Sequence, residues 1–282
     1  MPVLVARDVA ETIAALRADP AAEMLAGGTD LMVEVNFGRK RVRNVIAVDR
    51  IEELRELAIG PRVRVGAGVT YTRLLREGAG SVALSEASRT VGSPQIRNAG
   101  TIGGNVATSS PAGDTLPVLA ALEASVVLRS AGGERTVPFA QFMTGPKKNV
   151  RAHDEVVLAV EWDDAGPAQT FLKVGTRNAM VIAVASLALV VDRARRRVGV
   201  ALGSCGPTIL RAGDAERFAA GLFDEAGWSK HLAPSDAARA EFGGLVAAAA
   251  RPIDDVRGTA AYRRHVLGVI AARALARAWP LA

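Results

Sequence analysis

Two glycine doublets hold the residues of this chain best suited to chemistry. The first lies in Met24-Leu25-Ala26-Gly27-Gly28-Thr29-Asp30-Leu31, the second in Thr101-Ile102-Gly103-Gly104-Asn105. A glycine has no Cβ, so adjacent glycines let backbone N–H groups come close to an anion and adopt positive φ without strain. Each doublet follows a strand-like run and opens a polar stretch, so two bare loops suggest one ligand clasped from both sides. A diphosphate is the anion that suits such a double cradle. Neither doublet has the G-x-G-x-x-G spacing of a dinucleotide fold or the G-x-x-x-x-G-K-[ST] of a P-loop, and Gly66 and Gly68 make a G-x-G with no third glycine. One doublet by itself is most often a tight turn; two, with an acidic residue downstream, carry more weight.

No other side chains form a reactive group. Cys205 is the only cysteine, which excludes a disulfide framework, a C-x-x-C pair and an iron–sulfur cluster ligated by this chain. His153, His231 and His265 are far apart and none has a ligand partner at i+3 or i+4, so a zinc or iron site is not expected. Cys205 has no histidine near it in sequence and reads as a small buried thiol at a strand end. No triad or carboxylate pair stands out, so no residue is assigned as catalytic.

The elements that must position the doublets follow from the pattern. At 282 residues the chain is long enough for two domains with real cores. Hydrophobic residues make up 49% and charged ones 23%, the balance of a globular protein rather than a disordered one. The net charge of +6 raises the question of nucleic acid, but the basic clusters Arg39-Lys40-Arg41 and Arg193 to Arg197 lack interleaved aromatics and read as a solvated loop and a hairpin turn. The longest apolar run, Ala179 to Val191, is 13 residues, too short to span a bilayer, and no secretion signal is evident at the N-terminus. A cytoplasmic location is the expectation.

Val3 to Val5 predicts a strand, and Asp8 with Glu11 a capping box starting a helix that Asp19-Pro20 ends. Leu31 to Phe37 predicts a short helix, Asn44 to Val48 and Arg62 to Val65 strands, Ile51 to Leu57 a helical turn, and Thr70 a cap for a helix to Gly78. Val82 to Val91 is helix-like, Ser93 to Arg97 an extended lead-in to the second doublet, and a helix runs from Pro111 to Leu122. Ser125 to Arg129 and Arg135 to Val137 form a hairpin, and Glu155 to Trp162 one more strand. Gly166-Pro167 marks the domain boundary, with units 1–167 (subdomains about 1–60 and 61–167) and 168–282. Beyond it three long strands, Thr170 to Val174, Val181 to Val191 and Arg197 to Leu202, precede helices around Ala212 to Ala220, Ser235 to Ala250 and Thr259 to Ala278.

With these stretches in view the chain resembles a known family. Leu25 to Leu31, the run Ser93-Pro94-Gln95-Ile96-Arg97-Asn98-Ala99-Gly100-Thr101-Ile102-Gly103-Gly104-Asn105 and Ser110-Pro111-Ala112-Gly113-Asp114 closely resemble the FAD-binding medium subunit of molybdenum hydroxylases, the group of xanthine and carbon monoxide dehydrogenases. Phe171-Leu172-Lys173-Val174 and Tyr262-Arg263-Arg264-His265 extend the resemblance over nearly the whole chain, and Thr144 to Asn149 looks closer to the bacterial xanthine dehydrogenase branch.

The resemblance implies an α+β protein: a PCMH-type (vanillyl-alcohol oxidase-like) FAD domain of two α/β subdomains, and a C-terminal domain of a three-stranded antiparallel sheet with helices. It implies that Met24 to Leu31 and Thr101 to Asn105 hold the FAD diphosphate through backbone N–H groups. Asp114 would accept from ribitol or ribose hydroxyls, Val157 would pack beside the cofactor, and Lys173 would lie near the flavin. Without the family, Asp114 reads as a helix cap, Val157 as strand core and Lys173 as a solvent-facing residue. Some relatives place a phenylalanine against the flavin where this chain has Val91, and Ile102 is expected to cover a ring face instead. The implied partners are a large subunit with a molybdenum cofactor and a small subunit with [2Fe-2S] clusters, in a dimer of heterotrimers that passes electrons to NAD+ or another acceptor. Two alternatives stand beside this: a self-contained flavin oxidase or reductase of the same fold, and a non-enzymatic nucleotide- or nucleic-acid-binding module.

Overall fold

The structure is a computed structural model that describes residues 2–229 and 233–278. His231 lies outside the described residues. Three larger sheets and one two-stranded sheet organise the described residues. Val3–Val5, Val45–Ala47 and Glu23–Leu25 form a parallel sheet with Val45–Ala47 in the middle. The helix Val9–Ala18 packs toward the strand Val156–Asp163: Asp8 accepts from the Glu11 N–H at 2.7 Å, and Val9, Ile13 and Leu16 are buried. Glu11 reaches back to the Arg7 N–H at 2.8 Å, one residue earlier than a strict capping box.

The second sheet is antiparallel, in the order Leu57–Ala58, Arg62–Gly66, Val156–Asp163, Ser125–Ser130, Gly133–Pro138. Leu57 was expected to end a helical turn from Ile51; the turn is a short 3-10 helix, Glu52–Arg55, and Leu57–Ala58 then joins the sheet edge. Val156–Asp163 lies at its centre with five consecutive buried residues, the signature of a strand covered on both faces.

The third sheet carries Gln169–Val174, Ala185–Asp192, Arg197–Gly203 and the two-residue strand Leu210–Arg211. The last makes four strands where three were expected, and the central strand starts at Ala185 rather than Val181. Side-chain alternation divides its two faces. Leu187, Leu189, Val191, Val198, Val200 and Leu202 face a core shared with the helices Gly213–Ala226, Asp236–Ala249 and Ala260–Ala278, whereas Ala188, Val190 and Ala201 join the core of the N-terminal region. Both faces are therefore covered, one from each half of the chain.

Small residues set that junction. A Cβ on Gly199 would lie 2.1 Å from the carbonyl oxygen of Ala121, the last residue of the helix Leu116–Ala121. Gly199→Val is accordingly expected to lower stability by about 2–3 kcal/mol, because a backbone carbonyl cannot step aside as a side chain can. Thermal unfolding measures this, and a melting temperature equal to that of the parent would contradict the packing described.

The chain around the second doublet departs most from expectation. Ser93 to Arg97 is not extended: Ser93 caps a helix, Pro94–Ala99, with Pro94 in its first turn, where a missing N–H is harmless. The doublet itself is not a loop. It opens the helix Ile102–Thr108, capped by Thr101 Oγ1, which accepts from the Gly104 N–H at 3.0 Å.

Candidate functional site

The first doublet is the open one. Leu25 ends its strand, Gly28 turns at φ +70, and the helix Leu31–Asn36 follows. Among the described residues the N–H groups of Gly27, Gly28, Thr29, Asp30 and Leu31 donate to nothing in the chain. Five successive amides without acceptors are the donor set that an anion-binding nest requires. Met24, Leu25, Ala26 and Thr29 flank it half-buried, and Asp30 is exposed at its rim.

The second doublet cannot do the same. Its N–H groups are spent: Ile102 donates to Val69 O at 3.0 Å, Gly103 to Ala67 O at 2.9 Å, Gly104 to Thr101 Oγ1 and Asn105 to Thr101 O at 3.1 Å. Within the chain, the N–H groups of Ile102 to Asn105 thus have acceptors, whereas Thr101 N–H has none among the described residues. A helix start has its own orphan donors, and here the Ala67–Val69 segment and the Thr101 cap take them. Gly103 serves packing, since a Cβ there would meet Ala67 Cβ at 2.3 Å. Gly104 is bare, its Cβ position meeting only Thr101 Oγ1 at 3.1 Å.

The two stretches do meet. A Cβ on Gly27 would lie 1.7 Å from the carbonyl oxygen of Ala99, so the first loop is pressed against the backbone just ahead of Thr101. Gly100 then rests on the Tyr71 ring, with a Cβ position 3.0 Å from Cε2. Tyr71 is buried and hydrogen-bonded to Thr115, and burial pushes its phenol pKa up. Thr115 Oγ1 in turn donates to Asn105 Oδ1 at 2.6 Å. Tyr71 and Thr115 carry no motif and were missed in the sequence.

Asp114 and Lys173, 59 residues apart, form a buried ion pair at 2.6 Å, with side chains 7% and 8% exposed. Asp114 is not a helix cap, and Lys173 does not face solvent. Helix Val82–Thr90 completes the cluster: Glu86 accepts from Phe171 N at 2.6 Å and Thr170 Oγ1 at 3.0 Å, which seats the helix on the strand that carries Lys173. Thr90 therefore reaches both charges, donating from Oγ1 to Asp114 Oδ2 at 3.2 Å and accepting from Lys173 Nζ at 3.2 Å. Burial pushes the Asp114 carboxyl up to about 6 against the opposing pull of Lys173 and Thr90. Its second oxygen, Oδ1, is buried and has no partner among the described residues. An orphan acceptor of this kind costs roughly 1–3 kcal/mol unless something donates to it. The two unpaired features call for different chemistry: Oδ1 for a donor such as a hydroxyl, the Gly27–Leu31 amides for an anion.

Other candidates fall away. Burial pushes the Cys205 thiol up to about 12, so it is no nucleophile. His153 and His265 are exposed, and no cluster of three or more metal-binding side chains occurs among the described residues. No described helix is long and apolar enough to cross a membrane.

Comparison with known proteins bears on the ligand. Residues 1–162 match the family described as the FAD binding domain in molybdopterin dehydrogenase, and residues 170–278 match the CO dehydrogenase flavoprotein C-terminal domain. This chain belongs to the FAD-binding medium subunits of the molybdenum hydroxylases. It is 34% identical over 206 residues to the nicotinate dehydrogenase FAD-subunit of Eubacterium barkeri, covering 69% of this chain and 67% of that one. Against the carbon monoxide dehydrogenase medium chain of Hydrogenophaga pseudoflava identity is 31% over 271 residues, covering 92% and 89%. A solved structure of carbon monoxide dehydrogenase from the same organism superposes with a TM-score of 0.86 at 28% identity, over 99% of this chain and 97% of that one.

The flavin subunit is thus part of an oxidoreductase, with the expected fold class. Three residues expected to touch the cofactor's apolar parts sit differently from one another. Ile102 is fully buried, packed within the N-terminal core. Val157 is 5% exposed in the central strand, beside a bulge between Val157 and Ala159. Val91 is half-buried next to Thr90, which bonds both Asp114 and Lys173.

Proposed function

We propose that this chain carries the FAD of a three-subunit, xanthine dehydrogenase-like molybdenum hydroxylase, receiving electrons from [2Fe-2S] clusters of a small subunit and delivering them to an acceptor, NAD+ first. Substrate oxidation belongs to a large subunit with the molybdenum cofactor, the trimer pairs into a dimer of heterotrimers, and the assembly works in the cytoplasm. FAD, when bound, supplies the change from one-electron donors to a two-electron acceptor. The single lone cysteine supports this division, since the clusters must be ligated elsewhere.

The chain's own residues bind and orient. The observation that carries the reading is the pairing of five free amides at Gly27 to Leu31 with the orphan Asp114 Oδ1. The amides hold the diphosphate, Gly104 leaves room for it, and Asp114 accepts from a ribitol or ribose hydroxyl. Lys173 keeps the Asp114 carboxylate charged and stands beside the flavin, and Val157 packs near it. The division near Gly166-Pro167 separates this cofactor domain from the C-terminal one, which supplies Lys173 across the junction. Purification with its partner subunits tests the proposal: the complex should contain flavin, molybdenum and iron and form NADH on adding a hydroxylase substrate. Reduction of a quinone or oxygen but not of NAD+ would overturn the acceptor, and a flavin-free complex would overturn the whole.

A further inference from the structure

The geometry points to Lys147 as a positioning residue that neutralises the acidic rim of the Gly27–Leu31 cradle; we infer this role on the reading that the cradle holds the FAD diphosphate. The cradle has an electrostatic fault. Asp30 lies within the run of free amides and Glu34 one turn further along the Leu31–Asn36 helix. An anion entering there faces two carboxylates.

Lys147 answers both. Its Nζ is 2.7 Å from Glu34 Oε1 and 3.9 Å from Asp30 Oδ1, across 113 residues of sequence in the first case. The contact holds the Glu34 carboxyl below its ordinary range, with Arg39 and Lys40 adding to it from further off. Lys40 is itself engaged with Glu23 at 2.5 Å. Delivery of the ammonium is fixed by backbone. Lys147 sits in the turn between the strands Met143–Gly145 and Lys148–Asn149, and its N–H donates to Ser109 O at 3.0 Å. Asn149 Nδ2 donates to Ala107 O at 2.9 Å and Ser109 Oγ at 3.0 Å, tying the same turn to the end of the Ile102–Thr108 helix. The second glycine element, whose own amides are spent, thus carries a cation onto the first.

The side chain of Lys147 is 49% exposed, so the ion pair itself adds little to folding stability. Its effect on an anion at the cradle is a charge effect, about three- to tenfold in affinity at low salt, and smaller when salt screens it.

The test is FAD affinity by flavin fluorescence at low and high salt, with thermal unfolding as a control, for the parent chain, Lys147→Met, Lys147→Arg, Glu34→Gln and the double variant Lys147→Met with Glu34→Gln. Lys147→Met should bind about three- to tenfold more weakly at low salt, with the loss shrinking at high salt, while Lys147→Arg stays within about twofold of the parent. Glu34→Gln should bind at least as tightly as the parent, and in its background Lys147→Met should lose less. Unchanged affinity in Lys147→Met, a loss that neither salt nor Glu34→Gln alters, or weaker binding by Glu34→Gln would each overturn the role of Lys147 while leaving the flavin reading in place. A parent chain that binds no FAD would overturn both.

Discussion

Gly27→Ala is expected to abolish flavin retention and destabilise the fold together, whereas Gly104→Val is expected to lose flavin with little loss of stability. At Gly27 the added Cβ would stand 1.7 Å from the Ala99 carbonyl oxygen, so the first loop must leave the backbone ahead of Thr101 or push it away. Such overpacking costs about 2–3 kcal/mol, and a cradle displaced by that much loses roughly 100-fold in affinity. At Gly104 the nearest atom is the hydroxyl of its own cap, Thr101, at 3.1 Å, and the residue is helical. A Cβ there meets no core atom, so a valine acts chiefly on a ligand that approaches the bare backbone. Gly28 makes a poorer probe, because φ +70 strains any side chain whether or not a ligand is near. Flavin content after gel filtration, alongside melting temperature, separates the cases. Full flavin in Gly27→Ala would contradict the joint between the two stretches, and full flavin in Gly104→Val would move the ligand off the second.

Lys173→Met should destabilise the chain by about 3–5 kcal/mol at neutral pH, because it leaves a buried carboxylate with only the Thr90 hydroxyl for company. The sign with pH is fixed by Asp114. Its folded pKa, about 6, lies above the ordinary 3.8, so the protonated acid favours folding: that contribution is full below about 3.8, shrinks as pH rises, and is gone above about 6. Removing Lys173 takes away the largest influence that lowers this pKa, so the window extends further upward in the variant. The variant's deficit should therefore be large near pH 8 and smaller near about pH 5. Flavin binding runs the other way: a hydroxyl donates to the carboxylate, so affinity should weaken as pH falls below about 6. Denaturant midpoints at the two pH values decide the first point, and equal deficits at both would show that Asp114 is not the titrating group.

Much of the fold was legible because the signals are local. Asp8, Thr70 and Ser81 cap the helices they precede, and the alternation in Ala185–Asp192 and Arg197–Gly203 follows from period two. The same local logic was available at Ser93-Pro94, a cap followed by proline in the first turn, yet the proline reads equally as the end of an extended segment. The helical conformation of the second doublet was hidden for a different reason. Glycines permit a phosphate loop, but they also permit a helix to lie on a backbone segment, and only the distance from Gly103 to Ala67 tells the two apart. The pairing of Asp114 with Lys173, and of Lys147 with Glu34, joins residues from different elements, so neither was visible along the chain. The full burial of Ile102 was likewise not legible, because it is set by packing across elements distant in sequence.

The central claim is that the two glycine stretches share one ligand but divide the work, the first donating N–H groups and the second supplying close packing and a bare surface. Amide hydrogen exchange with and without FAD tests this most directly. Addition of FAD should slow exchange at Gly27 to Leu31, whose amides are free, and leave Ile102 to Asn105, already bonded within the chain, little changed. New protection at Ile102 to Asn105 with none at Gly27 to Leu31 would contradict the account.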